Sequence, residues 1–180
     1  MITLHDVEQG TPEWHALREG LYTGEGAHKL LKYGKIDYAL SHVNNFKGNF
    51  WTKRGHLLEK EAMGLYQRIN NLNILSVGFV TNDKYPECGY SPDGLLPSIL
   101  LEVKCFDKDE HMKLINAKTI DDIPFKILAQ IYFGLLITEL PLAQLIAYNP
   151  KMKDVKDRFK IIEIPAKRAV INNFKRILKG

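Results

Sequence analysis

Cysteine is scarce in this sequence of 180 residues, which contains only Cys88 and Cys105. The two do not form a CxxC pair, and the six histidines show no HExxH or similar pattern. Because a structural zinc site needs about four nitrogen or sulfur ligands at short spacing, we expect no zinc centre. Two reduced thiols in a cytosolic protein account for both cysteines.

Long hydrophobic runs are absent as well. Stretches such as "FGLLI" are far shorter than the roughly 20 apolar residues that cross a bilayer. The start "MITLHDVEQG" is polar, unlike a signal peptide. The sequence therefore predicts a cytoplasmic protein with no membrane partner.

The composition is that of an ordinary globular protein, with 45% hydrophobic and 26% charged residues. This length suits one domain, so we expect residues 1–180 to form a single domain. The net charge is +4, but residues 150–180 alone contain ten Lys or Arg and only three acids. A basic end suits a polyanionic partner, although a solvated helix face explains the same charges equally well.

Hydrophobic periodicity predicts an α/β fold. Apolar residues spaced by three and four indicate helices, in "GTPEWHALREG", "TGEGAHKLLKYG", "IDYALSHVNNF", "KRGHLLEKEAMGLYQRIN", "DEHMKLINA", "IPFKILAQIYFGLLIT" and "AKRAVINNFKRILKG". Short β-branched apolar runs indicate strands, in "ILSVGFVTN", "GYSPDGLL", "SILLEVKC", "LAQLIAYN" and "RFKIIEIP". The fourth helix has a predicted buried stripe of Leu58, Ala62, Leu65 and Ile69. The order of elements predicts a mixed central β-sheet flanked by helices.

The strand "SILLEVKC" carries charged residues where a buried strand would have only apolar ones. Side chains alternate across a strand, so Glu102 and Lys104 share one face and Val103 points to the other. One interpretation is a half-buried ion pair between the two. The other is a metal site, because Asp93 in the preceding "SPDG" turn faces Glu102 from the neighbouring arm of the hairpin. Two facing carboxylates repel each other unless a cation lies between them.

Such a site suits a hard divalent cation. Mg²⁺ prefers carboxylate and carbonyl oxygens and retains water, so Asp93, Glu102 and the carbonyl of Val103 are candidate ligands. A bound metal lowers the pKa of water, and Lys104 is placed to orient that water or to neutralise charge on a phosphate. The spacing alone also arises by chance in charged proteins, so both interpretations stay open at this point.

The segments "SPDGLL" and "LLEVKC" resemble the core motif of the restriction-endonuclease-like nucleases, the PD-(D/E)xK superfamily. More closely, they resemble the phage lambda exonuclease, or YqaJ-type viral recombinase, family. Other segments resemble the same family in order and spacing, namely "EWHALREGLYTGEGAHKLL", "RGHLLEKEAMGLY", "AQIYFGLLIT" and "AYNPKMK". Together they extend from Val7 to Lys153, and the resemblance implies a restriction-endonuclease-like core.

The resemblance also implies roles for the residues that match its motifs. It implies metal binding by Asp93, Glu102 and Glu59, catalysis by Lys104, and support of the lysine or of the attacking water by Gln130. The helical pattern alone does not separate Glu59 from Glu61, which is an equal candidate without the motif.

For the DNA end, the resemblance implies that Arg18 and Thr23 belong to a pocket for the 5′-phosphate. The chain departs from the family at Glu25, where a small hydroxyl residue is common. An acid is unfavourable beside a phosphate, and Lys29, Lys32 and Lys108 are the candidate cations that compensate for it.

In activity, the resemblance implies Mg²⁺-dependent hydrolysis of linear double-stranded DNA, with Mn²⁺ as a substitute. The expected direction is 5′ to 3′, releasing mononucleotides and leaving 3′ single strands for recombination. The implied partners are a single-strand annealing protein and two further copies in a homotrimer, in the host cytoplasm if the protein comes from a phage. The core motif leaves open an endonuclease or nickase on the same metal core, or a non-catalytic DNA-binding module.

Overall fold

The computed structural model describes residues 1–35 and 50–179. Its helices are α1 (Pro12–Arg18), α2 (Ala27–Tyr33), α3 (Phe50–Asn70), α4 (Lys108–Asn116), α5 (Phe125–Thr138) and α6 (Arg168–Lys179). Short 3₁₀ turns cover Gly24–Gly26, Ile120–Asp122 and Val155–Asp157. The predicted helix "IDYALSHVNNF" lies outside the described residues. None of the described helices is long and apolar enough to span a membrane.

The strands form two sheets. They are β1 (Ile2–His5), β2 (Phe79–Asn82), β3 (Gly89–Tyr90), β4 (Gly94–Leu96), β5 (Ile99–Lys104), β6 (Leu142–Tyr148) and β7 (Phe159–Pro165). One sheet has the order β1-β2-β3 and is antiparallel, and the other has the order β4-β5-β6-β7. In the second sheet β5 and β6 are parallel and the other pairs are antiparallel. The predicted mixed α/β fold is therefore confirmed.

Strand β1 was missing from the sequence prediction. It pairs with β2 so that Ile2 lies opposite Asn82 and His5 lies opposite Phe79. Its side chains are mostly exposed, so no apolar run marks it. Only pairing with a strand far along the chain identifies it.

The parallel pair β5–β6 requires a crossover connection, which α4 and α5 provide. Helix α5 packs on the sheet face that carries Leu100, since a Cβ at Gly134 would lie 2.7 Å from Leu100 Cδ2. By strand alternation Glu102 and Lys104 lie on this same face. The two charged side chains therefore lie between the sheet and a helix, which explains their burial.

Helix α3 covers the opposite face, where Leu101 and Val103 belong to a second apolar cluster with Ala62 and Tyr66. The predicted stripe on this helix is partly wrong, because Ile69 is 59% exposed. The sequence pattern passed over Tyr66, which is buried and donates a hydrogen bond from its hydroxyl to Gln144 Oε1 at 2.6 Å.

Lys160 of β7 holds the end of helix α4. Its Nζ donates to the carbonyl oxygens of Leu114, Ile115 and Ala117 at 3.2, 2.7 and 2.8 Å. A cation on the last carbonyls of a helix satisfies acceptors that have no partner within the helix and complements the helix dipole. Lys160 therefore fixes α4 to the edge strand of the second sheet.

Replacing Lys160 by methionine is expected to lower the free energy of unfolding by about 2 kcal/mol, since three carbonyls lose a charged donor. Urea denaturation measures this loss. The matched control is Lys156→Met, which removes an exposed lysine paired with Asp154 and should change stability by less than about 0.5 kcal/mol. Equal effects of the two variants would show that the three contacts do not stabilise the fold.

Candidate active site

The two sheets are joined by the segment between β3 and β4. The sequence predicted one strand through "GYSPDGLL", but the strand is interrupted between Tyr90 and Gly94. In this link Asp93 Oδ2 accepts a hydrogen bond from the backbone N–H of Val103 at 2.6 Å. The aspartate is therefore held against β5, as the hairpin interpretation predicted.

Gly94 follows Asp93 at a closely packed position. A Cβ at this position would lie 2.4 Å from Met63 Cε and 2.5 Å from Ile74 Cγ2. A side chain at Gly94 would therefore displace the side chains of Met63 and Ile74, which pack behind the link that carries the aspartate.

Glu102 is the most buried charge of the site, with 2% of its surface exposed. Its carboxylate accepts three hydrogen bonds from side chains. Tyr90 donates from its hydroxyl to Oε2 at 2.6 Å, Lys104 donates from Nζ to Oε1 at 2.7 Å, and Gln130 donates from Nε2 to Oε1 at 2.6 Å. A buried carboxylate is stable only with such partners, and these three fix its orientation.

Gln130 of α5 connects the two charged residues. Its amide nitrogen donates to Glu102, and its Oε1 accepts from Lys104 Nζ at 3.2 Å. The sequence interpretation placed this glutamine beside the lysine, and the structure brings them together. Gly24 packs against the same side chain, because a Cβ there would lie 3.1 Å from Gln130 Cγ and 2.7 Å from Tyr90 Cε2.

The electrostatics of the cluster are set by an excess of carboxylates. Burial and the neighbouring Glu102 raise the pKa of Asp93 well above its ordinary value, although Lys104 opposes the shift. Burial acts to lower the pKa of Lys104, but the charges of Glu102, Asp93 and Glu59 outweigh it and raise that pKa. Burial and Glu102 also raise the pKa of Tyr90 well above its ordinary value. Lys104 and Tyr90 therefore keep their protons at neutral pH and act as hydrogen-bond donors to Glu102.

The structure separates the two glutamates of α3 that the sequence left as alternatives. Glu59 is half-buried, lies 3.1 Å from His56 Nδ1, and acts on the pKa values of both Asp93 and Lys104. Glu61 instead accepts a hydrogen bond from the Tyr148 hydroxyl at 2.6 Å, and together with burial it raises the pKa of Tyr148 to about 12. Glu59 is therefore the one that faces the cluster.

Arg18 lies close to the link that carries Asp93. Its guanidinium carbon is 3.9 Å from the centre of the Trp14 ring, and NH1 donates to Ser91 Oγ at 3.1 Å. NH2 donates to Glu25 Oε2 at 3.1 Å, so the acid that departs from the family pattern forms an ion pair with this arginine. Trp14 Nε1 also donates to Ser91 Oγ at 2.9 Å.

The other two predicted DNA-binding residues lie in different surroundings. Thr23 is 3% exposed, and its Oγ1 has no hydrogen-bond partner among the described residues. Lys108 is exposed at the first residue of α4. Their roles stay predictions.

Tyr90 and Ser91 are site residues that the sequence analysis missed. Tyr90 belongs to β3 in the first sheet and reaches Glu102 in the second, and no periodicity reports a contact between two sheets. The only available signal was their position directly before the "PDG" turn.

The acids fit a hard divalent cation by their chemistry. Asp93, Glu102 and Glu59 offer carboxylate oxygens, which Mg²⁺ and Mn²⁺ prefer. The raised pKa of Asp93 reflects a concentration of negative charge that a cation relieves. Within residues 1–35 and 50–179, however, no three His, Cys, Asp or Glu side chains converge as a preformed metal-binding group.

The fold is shared with solved nuclease structures. An alkaline exonuclease from Laribacter hongkongensis, LHK-Exo, matches with a TM-score of 0.76 and 20% identity over 94% of this chain and 89% of its own. Its complex with dAMP matches with the same TM-score and identity over 93% of this chain. A phage related exonuclease from Haemophilus somnus 129PT matches with a TM-score of 0.63 and 16% identity, over 91% of this chain and 92% of its own. These likenesses confirm the restriction-endonuclease-like fold.

No curated protein sequence is significantly similar to this chain. Residues 13–141, however, match the family model of the YqaJ-like viral recombinase domain. This match covers most of the chain and includes Arg18, Glu59, the Asp93–Lys104 hairpin and Gln130. The protein therefore belongs to the YqaJ-like viral recombinase family.

Proposed function

We propose that this protein is a divalent-cation-dependent deoxyribonuclease that degrades linear double-stranded DNA from its 5′ ends. It releases mononucleotides and leaves 3′ single strands for recombination. The observation that carries the proposal is the cluster on β5, where Glu102 and Lys104 meet Gln130 and lie beside Asp93. Membership of the family and the fold shared with exonucleases support it.

Mg²⁺, or Mn²⁺ in its place, would be held by Asp93, Glu102, Glu59 and the carbonyl of Val103. When bound, the metal supplies a Lewis acid and lowers the pKa of a coordinated water. Asp93 is held against Val103 of β5, and Glu102 belongs to the same strand, so the scissile phosphate would bind beside β5. In the proposed reaction, water attacks phosphorus and the bond between phosphorus and the leaving oxygen breaks. The water gives up one proton to solvent and the leaving oxygen takes up one, so that an alcohol and a phosphate monoester are formed.

Lys104 is the catalytic cation of the proposal. Its raised pKa keeps the ammonium charged at neutral pH, so it stabilises the negative charge that develops on the phosphate. Gln130 is a positioning residue, because it accepts a hydrogen bond from Lys104 and donates to Glu102. Tyr90 positions the other oxygen of Glu102.

Arg18, Thr23 and Lys108 are the proposed contacts to the DNA end. Arg18 donates a hydrogen bond to Ser91, which precedes Asp93 by two residues. Glu25 already neutralises part of the charge of Arg18. We therefore propose that this chain uses the 5′-phosphate less strongly than a site without that carboxylate would.

Replacing Glu25 by glutamine is expected to increase the rate ratio of 5′-phosphorylated to 5′-hydroxyl duplex by about threefold, as a repulsive exposed charge is removed. Parallel digestion of the two substrates measures the ratio. Glu13→Gln, at an exposed acid of α1, is the control and should leave the ratio unchanged. An unchanged ratio in Glu25→Gln would place the 5′-phosphate away from Arg18.

The proposal includes a homotrimer and a single-strand annealing protein as the partner that receives the 3′ strand. Light scattering measures the oligomeric state, and a monomer at all concentrations would contradict the trimer. Co-sedimentation with a purified annealing protein tests the partner.

Digestion of three duplexes with Mg²⁺ tests the function itself. The substrates are a 5′-phosphorylated linear duplex, a 5′-hydroxyl linear duplex and a covalently closed circle. We expect mononucleotides from both linear forms and an intact circle, since an exonuclease requires an end. Rapid cutting of the circle would identify an endonuclease or nickase, and salt-sensitive binding without hydrolysis in any divalent metal would identify a binding module.

A further inference from the structure

A cavity of about 460 Å³ lies at the far end of helix α5 from the candidate active site. Its floor is apolar and includes Leu135 and Leu136 of α5 and Ile171 of α6. The two leucines are each 2% exposed and belong to the core. The apolar surface that a ligand can reach is therefore that of the half-buried Leu140, Ala166 and Ile171.

The rim of this cavity is charged and mostly basic. It carries Lys84, Arg168 and Lys175 and a single acid, Glu139. Lys84 Nζ lies 2.7 Å from Glu139 Oε1, and this hydrogen bond, with a smaller contribution from Lys175, lowers the pKa of Glu139. Three cations against one acid give the rim a net positive charge.

The cavity and the candidate active site lie at opposite ends of the second sheet. Along α5, nine residues separate Gln130 from Glu139, or about 14 Å of helix. In the sheet, Ile99 at the start of β5 pairs with Leu142, close to the cavity, while Lys104 ends the strand at the other side. A molecule in the cavity therefore leaves the active site open.

The lining chemistry narrows the class of ligand. The side chain of Lys84 is 63% exposed, and exposed cations attract anions while adding little affinity each. The half-buried side chains of Leu140, Ala166 and Ile171 instead favour an apolar group, because removing such a group from water is the larger contribution.

We propose that this cavity docks a short acidic peptide segment of a partner protein. A leucine or phenylalanine side chain of the segment packs on Leu140, Ala166 and Ile171, and the carboxylates of the segment face Lys84, Arg168 and Lys175. Docking at this end holds the partner next to the enzyme during turnover and raises its local concentration near the DNA product.

A fluorescein-labelled, amidated peptide of sequence Asp-Asp-Glu-Asp-Leu-Phe is the probe, and fluorescence anisotropy with the full chain measures its binding. We expect a Kd on the order of 10 μM at low salt, within the range of short peptides. The variant Arg168→Glu/Lys175→Glu should weaken binding at least about tenfold, since attraction becomes repulsion. The control Lys113→Glu, on α4, should bind as the wild type does.

The apolar contact has its own test. A peptide with serine in place of the leucine and phenylalanine should bind at least about tenfold more weakly. Ile171→Asp should have the same effect, and the serine peptide still decides the point if this variant does not fold. All folded variants should keep wild-type nuclease rates, because none of these residues touches the acids on β5.

Three results would overturn the proposal. They are no anisotropy change at a millimolar protein concentration, equal affinity of the two peptides, and equal affinity of the wild type and the double charge variant. Displacement of the peptide by duplex DNA that depends on Arg168 and Lys175 would also overturn it, because it would make this surface a nucleic-acid contact.

Discussion

Replacing Lys104 by methionine is expected to lower the rate of DNA hydrolysis by at least about 100-fold, the usual effect of removing one donor to a developing negative charge. Methionine keeps much of the apolar length of the side chain and removes only the ammonium. Glu102 keeps the hydrogen bonds from Tyr90 and Gln130, so the carboxylate is not left without donors. The fall should therefore appear in kcat, with little change in DNA affinity.

The control for this variant is Lys113→Met. Lys113 is an exposed lysine of α4 that forms an ion pair with Glu110, away from β5. Its loss should leave the rate within about twofold of wild type, as expected for a surface substitution. Circular dichroism verifies that both variants fold. A folded Lys104→Met protein with wild-type kcat would remove Lys104 from the reaction.

Replacing Asp93 by asparagine should have opposite effects on activity and stability. Activity should fall by about 1000-fold, comparable to loss of a major electrostatic contribution, because a proposed metal ligand loses its charge. In EDTA, however, the midpoint of thermal unfolding should rise. The amide oxygen still accepts the hydrogen bond from Val103 N–H, while the repulsion with Glu102 disappears.

The pH dependence of stability tests independently whether the ionised Asp93 destabilises the folded protein. Asp93 has a folded-state pKa raised well above the ordinary value of 3.8, so the folded state binds its proton more tightly than the unfolded state. The contribution of Asp93 to stability is therefore complete below the ordinary pKa of 3.8. It is lost as the pH rises through the raised folded-state pKa. Thermal unfolding in EDTA at increasing pH should show this loss in the wild type.

Asp93→Asn should lack that part of the pH dependence, and Asp83→Asn is its control. Asp83 is 72% exposed and pairs only with the N-terminal amine among its described contacts, so it reports the loss of a surface carboxylate. A lower unfolding midpoint of Asp93→Asn in EDTA at neutral pH would contradict the account of carboxylate repulsion.

Local patterns in the sequence predicted much of the site. The alternation in "SILLEVKC" placed Glu102 and Lys104 on one face. The predicted helix "IPFKILAQIYFGLLIT" contains the observed helix Phe125–Thr138. The turn before Gly94 placed Asp93 beside β5. These features depend on residues that are close in the chain or lie in a single hairpin, so they can be predicted from local sequence patterns.

Contacts between distant elements were not predictable in this way. No pattern in the sequence indicates that Tyr90 reaches from one sheet to Glu102 in the other. Helical periodicity alone did not separate Glu59 from Glu61, and only the family resemblance favoured Glu59. The distinction depends on a hydrogen bond to Glu61 from Tyr148, which lies 87 residues away. The burial of Glu102 and Lys104 under α5 likewise requires the parallel crossover to be known.

The ion pair between Arg18 and Glu25 is an intermediate case. The departure at Glu25 was visible in the sequence, and its charge predicted a conflict with a phosphate. Only the structure shows that the Glu25 carboxylate lies 3.1 Å from the Arg18 guanidinium and forms an ion pair with it.

Release of mononucleotides from a linear duplex, measured against Mg²⁺ concentration, tests the central claim most directly. The account predicts a rate that saturates with Mg²⁺ in the wild type and is absent in EDTA. Glu102→Gln should be inactive at every Mg²⁺ concentration, whereas Glu163→Gln, at an exposed acid of β7, should behave as the wild type does. Hydrolysis that persists in EDTA, or a folded Glu102→Gln variant with wild-type rates, would contradict a metal-dependent nuclease site on β5.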